Sequence, residues 1–186
     1  IIFGALNEMS IAWKVAEKCL EEGAEIVLTN TELSIRMGQI KDFAEKNNVP
    51  LIPADATSEE DLERLFKGAM ELLGGKIDFI LHSVAMSLNV RKKRPYDNLD
   101  YDFLQKTLDI SAISFHKVLQ TAKKLDAIMN GGLLWRFHTW LHSVPCLNIM
   151  IWRMPKRCWS LLPVVSGIFT DGKSGFVSTR FHNPRR

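Results

Sequence analysis

Cysteine is scarce: Cys19, Cys146 and Cys158 are three, without the spacing of a metal site or of a paired framework. That excludes a disulfide scaffold and points to a reducing, cytoplasmic compartment. No uninterrupted apolar run of about 18 residues occurs, so no membrane-spanning helix is expected. No basic stretch precedes an apolar one at the start, so no secretory signal is visible, and a beginning directly on strand-type residues suggests that earlier sequence is missing. Tyrosine is also rare, with Tyr96 and Tyr101 the only two. Acid is missing from one end: from Leu133 onward there is no glutamate and one aspartate, Asp171, while four of the five tryptophans fall there. The net charge is −4 up to Gly132 and +7 from Leu133, which together make the overall +3. Such a shift reads either as a basic tail for nucleic acid or as a segment never selected as protein.

What is present suffices for one domain. The 186 residues with 46% hydrophobic content can bury a sizeable core. The organising stretch is Ile1-Ile2-Phe3-Gly4-Ala5-Leu6-Asn7-Glu8-Met9-Ser10-Ile11-Ala12, read as a buried strand, a turn at Gly4 and a helix over 11–22 that Ser10 caps. A loop leaving a parallel strand and opening a helix is an anion site, because the first helical amides lack intrahelical partners and the macrodipole is positive there. It is equally an ordinary strand-to-helix turn with a serine cap, since the glycine fingerprint of dinucleotide sites is not spelled out.

The pattern then repeats. A strand is expected over 25–30, a helix from a Ser34 cap to about Asn47, a strand over 49–55 with prolines at its edges, a helix capped by Thr57 or Ser58, and a strand over 76–83. Glu59, Glu60 and Asp61 fall in a first helical turn, where the dipole favours acid. A basic loop, Val90-Arg91-Lys92-Lys93-Arg94-Pro95, precedes one long helix over about 100–125, in which Ser111 and Ser114 need carbonyl partners or a neighbour at the site. Short apolar strands alternating with helices imply an α/β fold, a doubly wound parallel sheet covered on both faces. Its crevice lies beyond the carboxyl ends of the strands, which gathers residues 4–10, 30–31, 55–56 and 82–87 on one rim.

Residues 4–12 with Ser10-Ile11-Ala12, Ala54-Asp55-Ala56, Leu81-His82-Ser83-Val84-Ala85 and Asp109-Ile110-Ser111, in this order at these loops, resemble the bacterial NADH-dependent enoyl-acyl-carrier-protein reductases, a divergent branch of the short-chain dehydrogenases. The resemblance covers residues 1 to about 131. It implies a Rossmann-like domain that binds NADH, with Gly4, Ser10 and Ile11 wrapping the pyrophosphate and Thr31 facing the adenosine ribose. The usual acidic ribose reader is absent and Arg36 could hold a 2′-phosphate, so NADPH stays open. By the same resemblance Asp55 and Ala56 hold the adenine, Val84 lies against the nicotinamide, and Ser87 lies near the acyl substrate. Ala85 stands where the family has glycine. His82 is either a ligand or a packed histidine at a strand end. The implied reaction moves hydride to a trans-2-enoyl thioester borne by acyl carrier protein, with the developing oxyanion stabilised by the protein. In the family this falls to a tyrosine with a lysine seven positions later and a second tyrosine ten positions earlier. Neither Tyr96 nor Tyr101 has such a lysine, so no catalytic residue is assigned, and no metal ligand either.

The genetic code accounts for the missing pair. Residues 148–156 can be encoded AAT ATA ATG ATA TGG CGG ATG CCA AAG, and the same letters read one nucleotide earlier give tyrosine-asparagine-aspartate-methionine-alanine-aspartate-alanine-lysine, which is the family spacing. In that frame residues 134–145 permit a tyrosine across His138 and Thr139, ten codons earlier; residues 155–164 permit an alanine-rich helix start, and residues 173–186 a strand with its cofactor loop. The chain therefore divides into a dinucleotide-binding part, 1–132, and an aberrant, out-of-frame part, 133–186, which needs no nucleic-acid partner. The chain as written is expected to be inactive, to carry at most one strand over 133–137 and poor packing beyond it, and to lack the later family region that covers the acyl chain and completes a homotetramer. Two other readings stay open: a non-catalytic dinucleotide-binding module, and a different short-chain dehydrogenase.

Overall fold

The computed structural model describes residues 1–136. Among the described residues four strands, β1 (Ile2–Phe3), β2 (Leu28–Thr29), β3 (Ile77–His82) and β4 (Ile128–Arg136), form one sheet in the order β2-β1-β3-β4. All the pairings are parallel. Helices α1 (Ile11–Glu21), α2 (Glu32–Met37), α3 (Ile40–Asn47), α4 (Glu59–Leu72), α5 (Leu88–Arg91), α6 (Tyr101–Leu108) and α7 (Ser114–Lys124) connect them. A 3₁₀ turn, Tyr96–Asn98, precedes α6, and a π turn, Asp109–Ile113, joins α6 to α7.

The period of two along the strands divides the core between two faces. Ile1, Phe3, Val27 and Ile80 pack with Leu62, Leu65 and Phe66 of α4 and Val118 of α7 on one face. Ile2, Leu28 and Leu81 pack with Val15 and Ala16 of α1 and Ile40 and Phe43 of α3 on the other. Both faces are covered by helices, which is why the strands read as continuous apolar runs. Phe66 and Leu65 are fully buried, so truncating either to alanine costs about 2–5 kcal/mol.

Several local expectations are corrected. The segment over 49–55 is no regular strand: it lies beside β2 through a single parallel bridge, Leu28 with Leu51, with Leu28 N donating to Pro50 O at 2.9 Å and Ile52 N to Leu28 O at 3.0 Å. Ala54 N donates to Asn30 O at 3.0 Å and continues the contact, while Pro50 has no N–H with which to extend it backwards. The strand over 25–30 shortens to two residues, Leu28–Thr29, which pair with β1. The helix expected up to Asn47 breaks into α2 and α3, because Gln39 N donates to Leu6 O (2.9 Å) instead of continuing the helix. Its cap is Thr31, whose Oγ1 accepts from Ser34 N at 3.3 Å, and not Ser34. Ser58, not Thr57, caps α4 by accepting from Asp61 N at 3.2 Å.

The last strand also begins earlier than expected, at Ile128. Its register against β3 slips: Ile77 faces Ile128, but Phe79 already faces Leu133. Gly132 lies in this irregular stretch, where an added Cβ would stand 2.4 Å from Ile128 Cγ2. Phe137, the expected strand end, and the poor packing expected after it lie outside the described residues. Among those described, no helix is long and apolar enough to cross a membrane.

Candidate functional site

The parallel sheet brings the loops over 4–10, 30–31, 55–57 and 83–87 to the carboxyl ends of its strands, and direct bonds hold them together. Gly4 leaves β1 with φ +91°, and an added Cβ would lie 2.0 Å from Ser83 O, so a residue with a side chain is excluded there twice over. Gly4 N donates to Thr29 O at 3.2 Å and Ser83 N to Phe3 O at 3.2 Å, which ties the first loop to both neighbouring strand ends. Asn30 Nδ2 donates to Ala5 O at 2.9 Å, while its Oδ1 accepts from Thr31 N at 2.9 Å.

Ser10 stands at the N-cap of α1 but its side chain does not cap. Its Oγ donates to Asn7 O at 2.6 Å and accepts from Leu6 N at 3.2 Å. The serine therefore shapes the loop and leaves the first helical amides to other acceptors, while half-buried Ile11 opens the helix. This suits a phosphate better than the expected cap, because a capping oxygen would compete with the anion.

Thr31 is half-buried, and its hydroxyl is engaged at the cap of α2 and with Ser34 Oγ at 2.9 Å. Arg36, one turn further, faces solvent and pairs with Glu32 at 3.3 Å. Asp55 is exposed; its Oδ1 accepts from Thr57 N and from Thr57 Oγ1, both at 2.8 Å, which closes an Asx turn on one carboxylate oxygen. Ala56 is buried beside it.

Val84 is half-buried and packs against the core face that carries Phe3. Ala85 is exposed. Ser87 caps α5, accepting from Val90 N at 3.4 Å. His82 is fully buried between Phe3 and Phe115, with ring centroids 5.9 and 5.5 Å away, and its Nε2 lies 3.0 Å from Ser114 Oγ. It is thus a packed histidine at a strand end, away from the rim surface. The basic loop is exposed, with Arg94 near Asp100 (3.7 Å).

The π turn supplies what the sequence reading left open. Ser114 Oγ donates to Ile110 O at 2.6 Å, the helical partner it needed. Ser111 finds a neighbour at the site instead: its Oγ accepts from Met86 N at 3.0 Å and donates to Met86 O at 3.1 Å. That clamp holds the main chain between Val84 and Ser87. Asn30 was placed on the rim and Ser111 was expected to need a neighbour there; what the sequence did not reveal is which main-chain atoms they hold, Ala5 O and both polar atoms of Met86.

A family profile described as enoyl-(acyl carrier protein) reductase matches residues 4–136. The chain is 32% identical over 133 residues to the enoyl-(acyl-carrier-protein) reductase (NADH) 1 of Rhizobium meliloti, covering 71% of this chain and 47% of that protein. It is 31% identical over 134 residues to the enoyl-(acyl-carrier-protein) reductase (NADH) of Mycobacterium avium, covering 71% of this chain and 48% of that one. The structure is similar to the complex of FabI with NADH from Alistipes finegoldii at a TM-score of 0.71 and 67% identity, covering 73% of this chain and 48% of that chain. The chain thus spans about half the length of the relatives it matches.

Proposed function

The chain belongs to the enoyl-(acyl carrier protein) reductase family, and on that premise we propose that residues 1–132 form the NADH-binding part of a reductase of fatty acid biosynthesis. The carrying observation is the convergence of the four loops on one rim, with Gly4 seated against Ser83 and the first amides of α1 left uncapped by Ser10. The donor set fits a dinucleotide. Gly4, Ser10 and Ile11 would lie along the pyrophosphate, Thr31 at the ribose, Asp55 and Ala56 at the adenine, and Val84 beside the nicotinamide. Asp55 keeps its second carboxylate oxygen for the exocyclic amine of the base. The exposed pairing of Arg36 with Glu32 favours NADH over NADPH, since a 2′-phosphate would have to compete for that guanidinium.

When bound, the reduced nicotinamide supplies the hydride for a trans-2-enoyl thioester carried by acyl carrier protein. This chain's own residues bind and orient. Ser87 stands at the substrate side, and its cap bond to Val90 N fixes the start of α5. Oxyanion stabilisation falls to a tyrosine, supported by a lysine that holds the ribose, and both are recovered only in the shifted frame, so the chain as written binds cofactor without turnover. Residues 133–186 are the same message decoded out of register. The protein acts in the cytoplasm without a nucleic-acid partner, and the homotetramer of its family requires the restored sequence.

Calorimetric titration tests the reading. NADH binds the chain as written, while NADH oxidation with an enoyl thioester stays at background. Failure to bind NADH overturns the cofactor assignment; turnover by this chain overturns the frame assignment.

A further inference from the structure

We propose that Lys117 is a positioning residue for the adenine end of the cofactor, acting through Thr57 on Asp55. The inference rests on the cofactor reading above. Lys117 lies on α7, yet its ammonium donates to Thr57 O at 2.9 Å, across 60 positions of sequence. It also donates to Asp109 Oδ1 at 3.2 Å, at the start of the π turn. The side chain is only 26% exposed, so both bonds form at a partly dry surface, where charge-assisted hydrogen bonds hold geometry well.

From Thr57 the chain of contacts continues to the adenine loop. The Thr57 amide and hydroxyl both donate to Asp55 Oδ1, and Asp55 N donates to Asp61 Oδ2 at 2.9 Å. The Asp55 carboxylate is therefore held by its own Asx turn, its main-chain amide is tied to Asp61 in the first turn of α4, and Lys117 grips the carbonyl of Thr57, the residue that closes the Asx turn. The far end of the same stretch clamps the other loop, since Ser111 holds Met86 at both main-chain polar atoms. Residues 109–117 thus fasten the adenine side and the nicotinamide side of the rim to one irregular piece of helix. Widened turns of this kind are frequent at functional sites.

An ordinary structural tie would affect every ligand alike, whereas a residue that aims Asp55 affects only ligands bearing the exocyclic amine. Deamino-NADH, with hypoxanthine in place of adenine, separates the two. Titrations of the 186-residue chain compare NADH and deamino-NADH for wild type, Lys117→Met and Lys117→Arg, with melting temperatures recorded for each. The wild type prefers NADH; Lys117→Met weakens NADH by about tenfold, the size of one lost hydrogen bond to a charged group, and leaves deamino-NADH within about twofold. Lys117→Arg restores the preference. Equal weakening of both ligands, or of neither, overturns the proposal. A wild type that binds NADH and deamino-NADH equally overturns it while leaving the cofactor reading standing, and a wild type that binds neither overturns both.

Discussion

Up to Gly132 acids outnumber bases, apolar residues recur at helix or strand spacing, and the functional loops are fastened to one another; from Leu133 glutamate disappears and tryptophan accumulates. The first region carries marks of chemistry: acids in the first turn of α4, a glycine where an added Cβ would strike a carbonyl, serines that hold main chain at a rim. For the second we propose a different origin, a message decoded one nucleotide out of register. Physical constraint on the first region is thus visible as pairing between distant positions, such as Asn30 with Ala5 and Ser111 with Met86.

Restoring the frame across residues 130–133 breaks the comparison most strongly. The restored protein reduces an enoyl thioester with NADH at least about a thousandfold faster than the chain as written, in an assay of NADH absorbance, because the oxyanion donors return. Gly4→Val comes next. A side chain against Ser83 O at a positive φ lowers stability by about 2–4 kcal/mol in urea unfolding and removes NADH binding with it. Ser114→Ala is milder: it withdraws one partner from buried His82 and one bond from the Ile110 carbonyl, a loss of about 1–3 kcal/mol. The smallest effect is expected at the exposed pair of Glu63 and Lys124, 2.7 Å apart, which joins α4 to α7. The bond from Lys124 holds the Glu63 carboxyl below its ordinary range. Its slight contribution is therefore present above the ordinary carboxylate range, is lost as pH falls through the lowered value, and vanishes in high salt. Lys124→Ala shifts the melting temperature within measurement error at neutral pH and high salt.

Much of the fold was legible because it is written locally. Apolar runs, acidic first turns and stop glycines placed α1, α4 and β3 to within a residue or two, and the crevice rule then gathered the rim loops. What was not legible is non-local. Nothing near Gly38 says that Gln39 N will turn to Leu6 O and split a helix, and nothing around Ser10 says that its hydroxyl will choose Asn7 O over a helical amide. The prolines at 50 and 53 were visible, but their consequence, one bridge in place of a strand, depends on β2 being equally short. Of the site, the strand-end positions could be read and their fastenings could not. The bond from Lys117 to Thr57 spans 60 residues and leaves no spacing to recognise.

Sequencing the genomic DNA across the codons for residues 130–133 tests the division most directly. The expected result is a single inserted or deleted base at that junction, with the tyrosine and lysine codons at their family spacing in the alternative frame downstream. An uninterrupted reading frame that encodes residues 133–186 as they stand, with no such pair in the neighbouring frame, contradicts it.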